Sequence, residues 1–306
     1  MDKKVYDIIV VGSGPAGLTA AIYARRAGKT VLVLEKEAFG GQITHSPKVE
    51  NYPGYIEMSG NEFAEVLVNQ ALGQGAEIDM AEVTDVVSEG DLKKVITDAG
   101  EYLCRAVIIA AGSKHRPLGV QREEELTGNG VSYCAVCDGA FYAGKHVAVI
   151  GGGNSALQEA VMLSERCSQV TVIQNLAFLT GEEQLVRKLK NTPNVDFIYN
   201  SVVDALEGKD ELTGVILYNT EIEEYSLVDC DAVFVAIGQM PENEPFTHVA
   251  DLNEYGYVDA GEDCVTKTPG VFVAGDCRSK RVRQITTATG DGAVAAVAAC
   301  RYLDTL

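Results

Sequence analysis

Nowhere in this chain of 306 residues does an apolar run approach the ~18 to 20 residues needed to cross a bilayer. The nearest stretches are short, such as Ala106 to Ala111. A membrane span is therefore not expected. Positive charge is also scarce, with 25 Lys and Arg against 44 Asp and Glu and a formal net charge of -19. Nucleic acid and anionic membrane surfaces draw their affinity from clustered cations, so neither is expected as a partner. No leader is expected either: Met1-Asp2-Lys3-Lys4 runs directly into the strand-like Val5 to Val11, and a cytoplasmic location is the expectation. Metal-ligand spacing is wanting, because His115, His146 and His248 stand alone and a single C-x-x-C occurs. No metal centre is expected.

What the chain does contain is length for two domains and a repeat. The apolar run Val5 to Val11 leads into Gly12-Ser13-Gly14-Pro15-Ala16-Gly17, an Ala-rich helical stretch to Ala27, and a second run, Thr30 to Leu34, closed by Glu35. The order recurs as Lys145 to Ile150, Gly151-Gly152-Gly153-Asn154-Ser155-Ala156, a helical stretch Leu157 to Arg166, and Gln169 to Ile173 closed by Gln174. Glu35 follows Gly12 by 23 positions and Gln174 follows Gly151 by the same 23. Two βαβ dinucleotide-binding units are thus expected. Similar strands, Arg105 to Gly112 and Asp231 to Gly238, each end at a glycine, and a third, Gly270 to Gly275, precedes Asp276. Gln284 to Leu306 reads as one helix.

The fold class read from this order is α/β, with two Rossmann-like domains and the second inserted in the first. Residues 1–115 and 243–306 are expected to form the first dinucleotide-binding domain, in two parts. Residues 116–242 form a pyridine-nucleotide-type domain that carries the C-x-x-C.

The first glycine loop has the context that its chemistry requires, following a strand and opening a helix. Gly12 permits the tight turn, Gly14 lets the backbone approach a pyrophosphate, and Gly17 lets helix pack on strand, while the helix N-terminus supplies amides. Glu35 would accept a hydrogen bond from a ribose 2'-hydroxyl and repel a 2'-phosphate, which suits FAD or NAD. The second loop has the same form with Ala156 in the last place, so Gly151, Gly153, Asn154 and Ser155 are candidate nucleotide contacts. At its far end Gln174 and Asn175 offer neither the acid that selects a 2'-hydroxyl nor the arginines that select a 2'-phosphate.

Cys134-Ala135-Val136-Cys137 is followed by Asp138-Gly139. A dithiol at this spacing closes a disulfide across one helical turn, and a flavin nearby would exchange electrons with it. Asp138 is the candidate proton donor to a departing thiolate. The other six cysteines are expected to be packing residues. Four cations, Arg278, Lys280, Arg281 and Arg283, are expected to form a docking patch for an acidic redox partner.

These pieces in this order resemble the low-molecular-weight thioredoxin reductases from Val5 to Leu303. The resembling stretches include Gly40-Gly41-Gln42, Asn51-Tyr52-Pro53-Gly54, Ala110-Ala111-Gly112, Cys134 to Gly139, Gly275-Asp276 and Arg283-Gln284-Ile285. The resemblance implies FAD contacts at Gly41, Gln42, Asn51, Ala111, Gly112, Gly275, Asp276, Arg283, Gln284 and Ile285, beside Gly12, Gly14, Ala16, Gly17 and Glu35. It also implies a homodimer, a rotation of the nucleotide domain, Cys137 as the sulfur nearer the flavin and Cys134 as the exchanging one. NADPH-dependent members carry a His-Arg-Arg run where this chain has Gln174-Asn175-Leu176, and a further arginine where it has Thr180. The flavoprotein subunit of alkyl hydroperoxide reductase has an acid there and prefers NADH. The expected activity is transfer of electrons from NAD(P)H, through FAD and the Cys134/Cys137 pair, to a thioredoxin-like disulfide. Two alternatives are ferredoxin as the donor, and a dithiol oxidase that passes electrons to oxygen.

Overall fold

The computed structural model describes residues 4–46 and 49–306, without the side chain of His45. Met1, Asp2 and Lys3, on which the leader argument rests, lie outside the described residues. The chain divides into two compact units, Met1–Lys114 with Met240–Leu306, and His115–Gln239.

In the first unit the strand Val5–Val11 lies between Val31–Glu35 and Gly100–Ile109, parallel to both, with Ile9 opposite Leu32 and Val107. Glu77–Met80 extends one edge, and Val271–Val273 pairs in parallel with the last residues of Gly100–Ile109. Strands buried on both faces read as unbroken apolar runs, and Val31–Glu35 is buried at every position. The helix Pro15–Arg26 crosses between the first two strands and packs on the long helix Ile285–Leu303. Their close approach needs small residues: a Cβ on Gly292 would stand 2.2 Å from the carbonyl oxygen of Ala16.

The second unit repeats the plan. Five parallel strands run in the order Val195–Ile198, Gln169–Ile173, His146–Ile150, Ala232–Val235 and Val131–Ser132. The helix Asn154–Ser164 packs on the two strands of its βαβ unit.

Boundaries shift from the sequence reading by a few residues. The second loop's helix starts at Asn154, ahead of the expected Leu157, because Gly153 is its N-cap. Each unit also contains an antiparallel meander, of which the sequence reading named only the strand from Arg105 onward. One is Val83–Glu89, Leu92–Thr97 and Gly100–Ile109, and the other is Ser201–Gly208, Leu212–Asn219 and Glu224–Asp229. Among the described residues no helix is long and apolar enough to cross a membrane.

Candidate active site

The three glycines of the first loop answer to different constraints. Gly12 has φ +102°, and a Cβ there would sit 2.3 Å from the Ala110 carbonyl oxygen. A Cβ on Gly17 would sit 1.9 Å from the carbonyl oxygen of Gly12. Both are required by the chain itself. Gly14 is not: a Cβ there would meet nothing nearer than Gly40 O at 3.9 Å. Its missing side chain leaves open space at the head of the helix Pro15–Arg26, where backbone amides and the helix dipole favour an anion.

Around this loop the fold gathers the other candidates of the first unit. A Cβ on Gly41 would lie 3.0 Å from Gly14 Cα, and one on Gly275 would lie 2.8 Å from Ala16 Cβ. Ala111 backs onto Gly12, Gly112 turns the chain at φ +71°, and Gln42 is exposed. Asn51 Nδ2 donates to Gln284 Oε1 at 3.2 Å, and Ile285 opens the last helix. Asp276 Oδ1 is buried with no hydrogen-bond partner among the described residues. An orphaned acceptor beside an open glycine cradle fits a bound dinucleotide, whose hydroxyls would complete it.

Glu35 is buried, and its carboxylate ties the second strand to the loop. Oε2 accepts from Ser13 N at 2.8 Å and Ser13 Oγ at 2.7 Å, while Oε1 accepts from Lys36 N at 2.9 Å and Glu37 N at 3.0 Å.

In the second unit the glycine loop is covered by residues 174–182. Gln174 is 5% exposed, and its side chain turns inward over Gly152, donating from Nε2 to Phe178 O at 3.2 Å. Thr180 N and Gly181 N both donate to Gly152 O, at 2.8 and 2.9 Å. Asn154 accepts from Glu182 N at 2.6 Å and donates to Glu182 Oε1 at 3.2 Å, which places a carboxylate at the mouth of that helix. Gly151 makes the tight turn at φ +128°, while Gly153 is partly accessible and Ser155 exposed.

Cys134 and Cys137 are joined as a disulfide with Cα atoms 5.3 Å apart. Cys134 is the N-cap of the short helix Ala135–Asp138, and its Sγ accepts from Cys137 N at 3.2 Å. Ser132, at the end of its strand, accepts from Cys134 N at 3.1 Å and donates to Asp138 Oδ2 at 2.6 Å. Burial raises the Asp138 pKa above the ordinary carboxylate range, and the Ser132 bond only partly opposes it. The acid adjacent to Cys137 thus keeps its proton to higher pH than a free aspartate.

Residues 6–292 match the model of the pyridine nucleotide-disulphide oxidoreductases. The chain belongs to this family. It is 40% identical over 306 residues to the thioredoxin reductase of Bacillus subtilis (strain 168), covering 100% of this chain and 97% of that one. To the thioredoxin reductase of Treponema pallidum (strain Nichols) it is 40% identical over 302 residues, covering 98% of each. The solved thioredoxin reductase of Streptococcus pyogenes MGAS5005 superposes with a TM-score of 0.94 at 38% identity, covering 99% of each chain. The resemblance to thioredoxin reductases and the two-dinucleotide-binding flavoprotein fold are borne out.

In this family member the cationic patch is corrected. Arg278 is 2% exposed, with Nε and Nη2 each 3.1 Å from the Asp291 carboxylate. Lys280 Nζ reaches the same group at 2.9 Å, with 6% of its side chain exposed. Arg283 donates to Asp276 O at 3.2 Å and lies 4.0 Å over the Tyr257 ring. Of the four, Arg281 alone is exposed. The reason is local: Asp291, on the last helix, also accepts from Gly275 N at 3.0 Å and folds the cationic segment back onto the Gly275–Asp276 turn. Sequence reading missed Asp291, since a helix interior carries no spacing signal for a partner 11 to 16 residues upstream. Ser132 and Glu182 were missed likewise.

The six remaining cysteines are buried. Burial pushes Cys104, Cys230 and Cys264 up to about 12 and Cys277 up to about 11, and raises Cys167 and Cys300 as well.

Proposed function

We propose that the chain is an FAD-dependent disulfide reductase that passes electrons through Cys134/Cys137 to a thioredoxin-like protein. The carrying observation is the closed disulfide flanked by an acid whose pKa burial raises. FAD, when bound, relays a pair of electrons from a donor to that disulfide. In this reading Met1–Lys114 with Met240–Leu306 holds the FAD, and His115–Gln239 carries the dithiol. The open face of Gly14 admits the pyrophosphate, and Asp276 Oδ1 takes a hydroxyl. Ser13 Oγ is the side-chain donor on Glu35 that a ribose hydroxyl would displace. Opening the S–S bond with two electrons leaves two sulfurs that need two protons, and Asp138 supplies one of them. Relatives named thioredoxin reductase support a thioredoxin-like acceptor.

For the donor, the inward-turned Gln174 and the carboxylate of Glu182 speak against a clamp for a 2'-phosphate. A 2'-hydroxyl nucleotide is preferred over NADPH in this reading. The covered glycine loop also favours a second reading, in which reduced ferredoxin supplies the electrons. Anaerobic bleaching of the flavin tests the donor directly. NADH, NADPH and reduced ferredoxin are compared in one stopped-flow series, and NADPH a hundredfold faster than NADH would overturn the argument. A cytoplasmic location and a homodimer complete the proposal. Exposed Tyr23, Val265, Val294 and Val297 border an apolar pocket of about 630 Å³ that a second copy would cover.

A further inference from the structure

Glu159 lies on the helix Asn154–Ser164, which packs against the Cys134–Cys137 turn. Its carboxyl faces the backbone N–H of Ala135, the first residue after Cys134, and that amide favours its charged form. Its Oε2 is buried and has no partner among the described residues. Ala135 shares an apolar cluster with Ala156, Leu157 and Ala160 of the same helix, so water does not screen this contact. A buried carboxyl oxygen without a partner is costly, and such groups call for an explanation.

We propose that Glu159 is a positioning residue for the redox pair, whose proton state sets how readily the reduced Cys134 sulfur ionises. On the same turn Cys137 N–H points at Cys134 Sγ at 3.2 Å and would stabilise a thiolate there. Glu159 sets its own charge beside the neighbouring Ala135 amide, on the helix that packs against this turn. One negative charge at this turn therefore disfavours a second. Protonated, Glu159 leaves Cys134 free to ionise; ionised, it holds the thiol in its protonated form.

Burial pushes the Glu159 pKa up to about 7, against the Ala135 amide, so this exchange falls near neutral pH. The elements beside this helix carry other titratable groups. Asp138 stands on the dithiol helix and Tyr142 on the turn beyond it, Glu183, Arg187, Lys188 and Lys190 on the helix Glu183–Lys190, and His146 on the adjoining strand. Several are engaged elsewhere: Asp138 with Ser132, Arg187 with Glu183, Lys188 with Glu165 and His146 with Thr171. The affinity of Glu159 is set by its burial and by the Ala135 amide.

The inference rests on the redox role of Cys134 but is read without turnover. Holoprotein carrying Cys137→Ser presents Cys134 as a single thiol, since the other six are buried. Its alkylation by iodoacetamide, which reports the thiolate, is followed from pH 5 to 9 with and without Glu159→Gln. At pH 8 the glutamine variant should react about three- to tenfold faster, with the two rates converging below pH 6. A misfolded variant would react faster at every pH, which separates lost structure from lost charge. Without Glu159→Gln the profile should carry two inflections, and this arm does not depend on how the variant folds. Superimposed profiles, or a single inflection with Glu159 intact, overturn the inference. Retained disulfide turnover in Cys134→Ser would instead sink the redox reading itself.

Discussion

Replacing Asp291 by alanine removes the carboxylate on which Arg278, Lys280 and Gly275 N converge. Arg278 is 2% exposed, so its charge cannot recover water, and Lys280 is nearly as enclosed, with 6% of its side chain exposed. Breaking a buried pair by deleting one partner costs about 3 to 5 kcal/mol, and the lower end applies here because Arg278 keeps Glu262 and the carbonyls of Ala260 and Gly261. Set against a typical total of ~5 to 15 kcal/mol, the loss is a large fraction of the stability. Asp291→Asn keeps an acceptor of the same shape and should cost about half as much. The chain has no tryptophan, so urea unfolding is followed by far-ultraviolet circular dichroism. Burial alone would raise the Asp291 pKa, but the bonds from Arg278 and Lys280 outweigh it and hold the group below its ordinary value. A lowered folded pKa contributes stability above the unfolded value, and that contribution disappears as pH falls through the folded one. The gap between the native chain and Asp291→Asn should therefore be flat from pH 5 to 8 and shrink below about pH 4. An Asp291→Ala cost under about 1 kcal/mol, or a gap that widens in acid, would refute the buried-pair reading.

Gly14→Val should fold yet carry less flavin, because its Cβ meets no protein atom nearer than Gly40 O at 3.9 Å and so enters the open space of the loop; full flavin content in the purified variant would dismiss this loop as the cradle. Gly17→Ala should instead lower the midpoint by circular dichroism, since its Cβ meets the carbonyl oxygen of Gly12 at 1.9 Å. Cys134→Ser and Cys137→Ser should each abolish reduction of a protein disulfide while the flavin spectrum persists, and measurable turnover in either would overturn the pathway. Arg281→Glu should leave the partner's apparent Michaelis constant within about twofold, because one exposed cation makes little field; a salt-sensitive tenfold rise would restore a docking role to that segment.

The parts of the fold legible in the sequence are those whose physics is local. Gly17 is dictated by a backbone contact within one βαβ unit, Gly12 by the tight turn at φ +102°, and the C-x-x-C closes within one turn. The meanders escaped because their strands are half exposed: Leu92–Thr97 alternates partly buried with buried positions and Glu224–Asp229 is exposed almost throughout. Neither leaves the continuous apolar run that marks a central parallel strand. The cationic segment misled for the opposite reason. Its four charges are adjacent in sequence, but whether they face solvent depends on Asp291, which the fold alone brings to them. Charge runs announce composition and not exposure.

The same distinction bears on why one pair of cysteines out of eight does chemistry. Thiol–disulfide exchange needs a thiolate and access. Cys104, Cys230 and Cys264 have neither, being buried with pKa values near 12, and Cys277 lies with Sγ 3.4 Å from the Ala274 carbonyl oxygen. Cys134 and Cys137 are partly exposed and sit where a backbone amide already points at sulfur. Sequence spacing picked them out, but the confinement comes from burial of the other six. A mutation that opened the core around Cys230 or Cys264 would therefore do more than lower stability. It would put a competing thiol within reach of partner disulfides, and mixed disulfides at that position would appear on non-reducing gels as the core loosened.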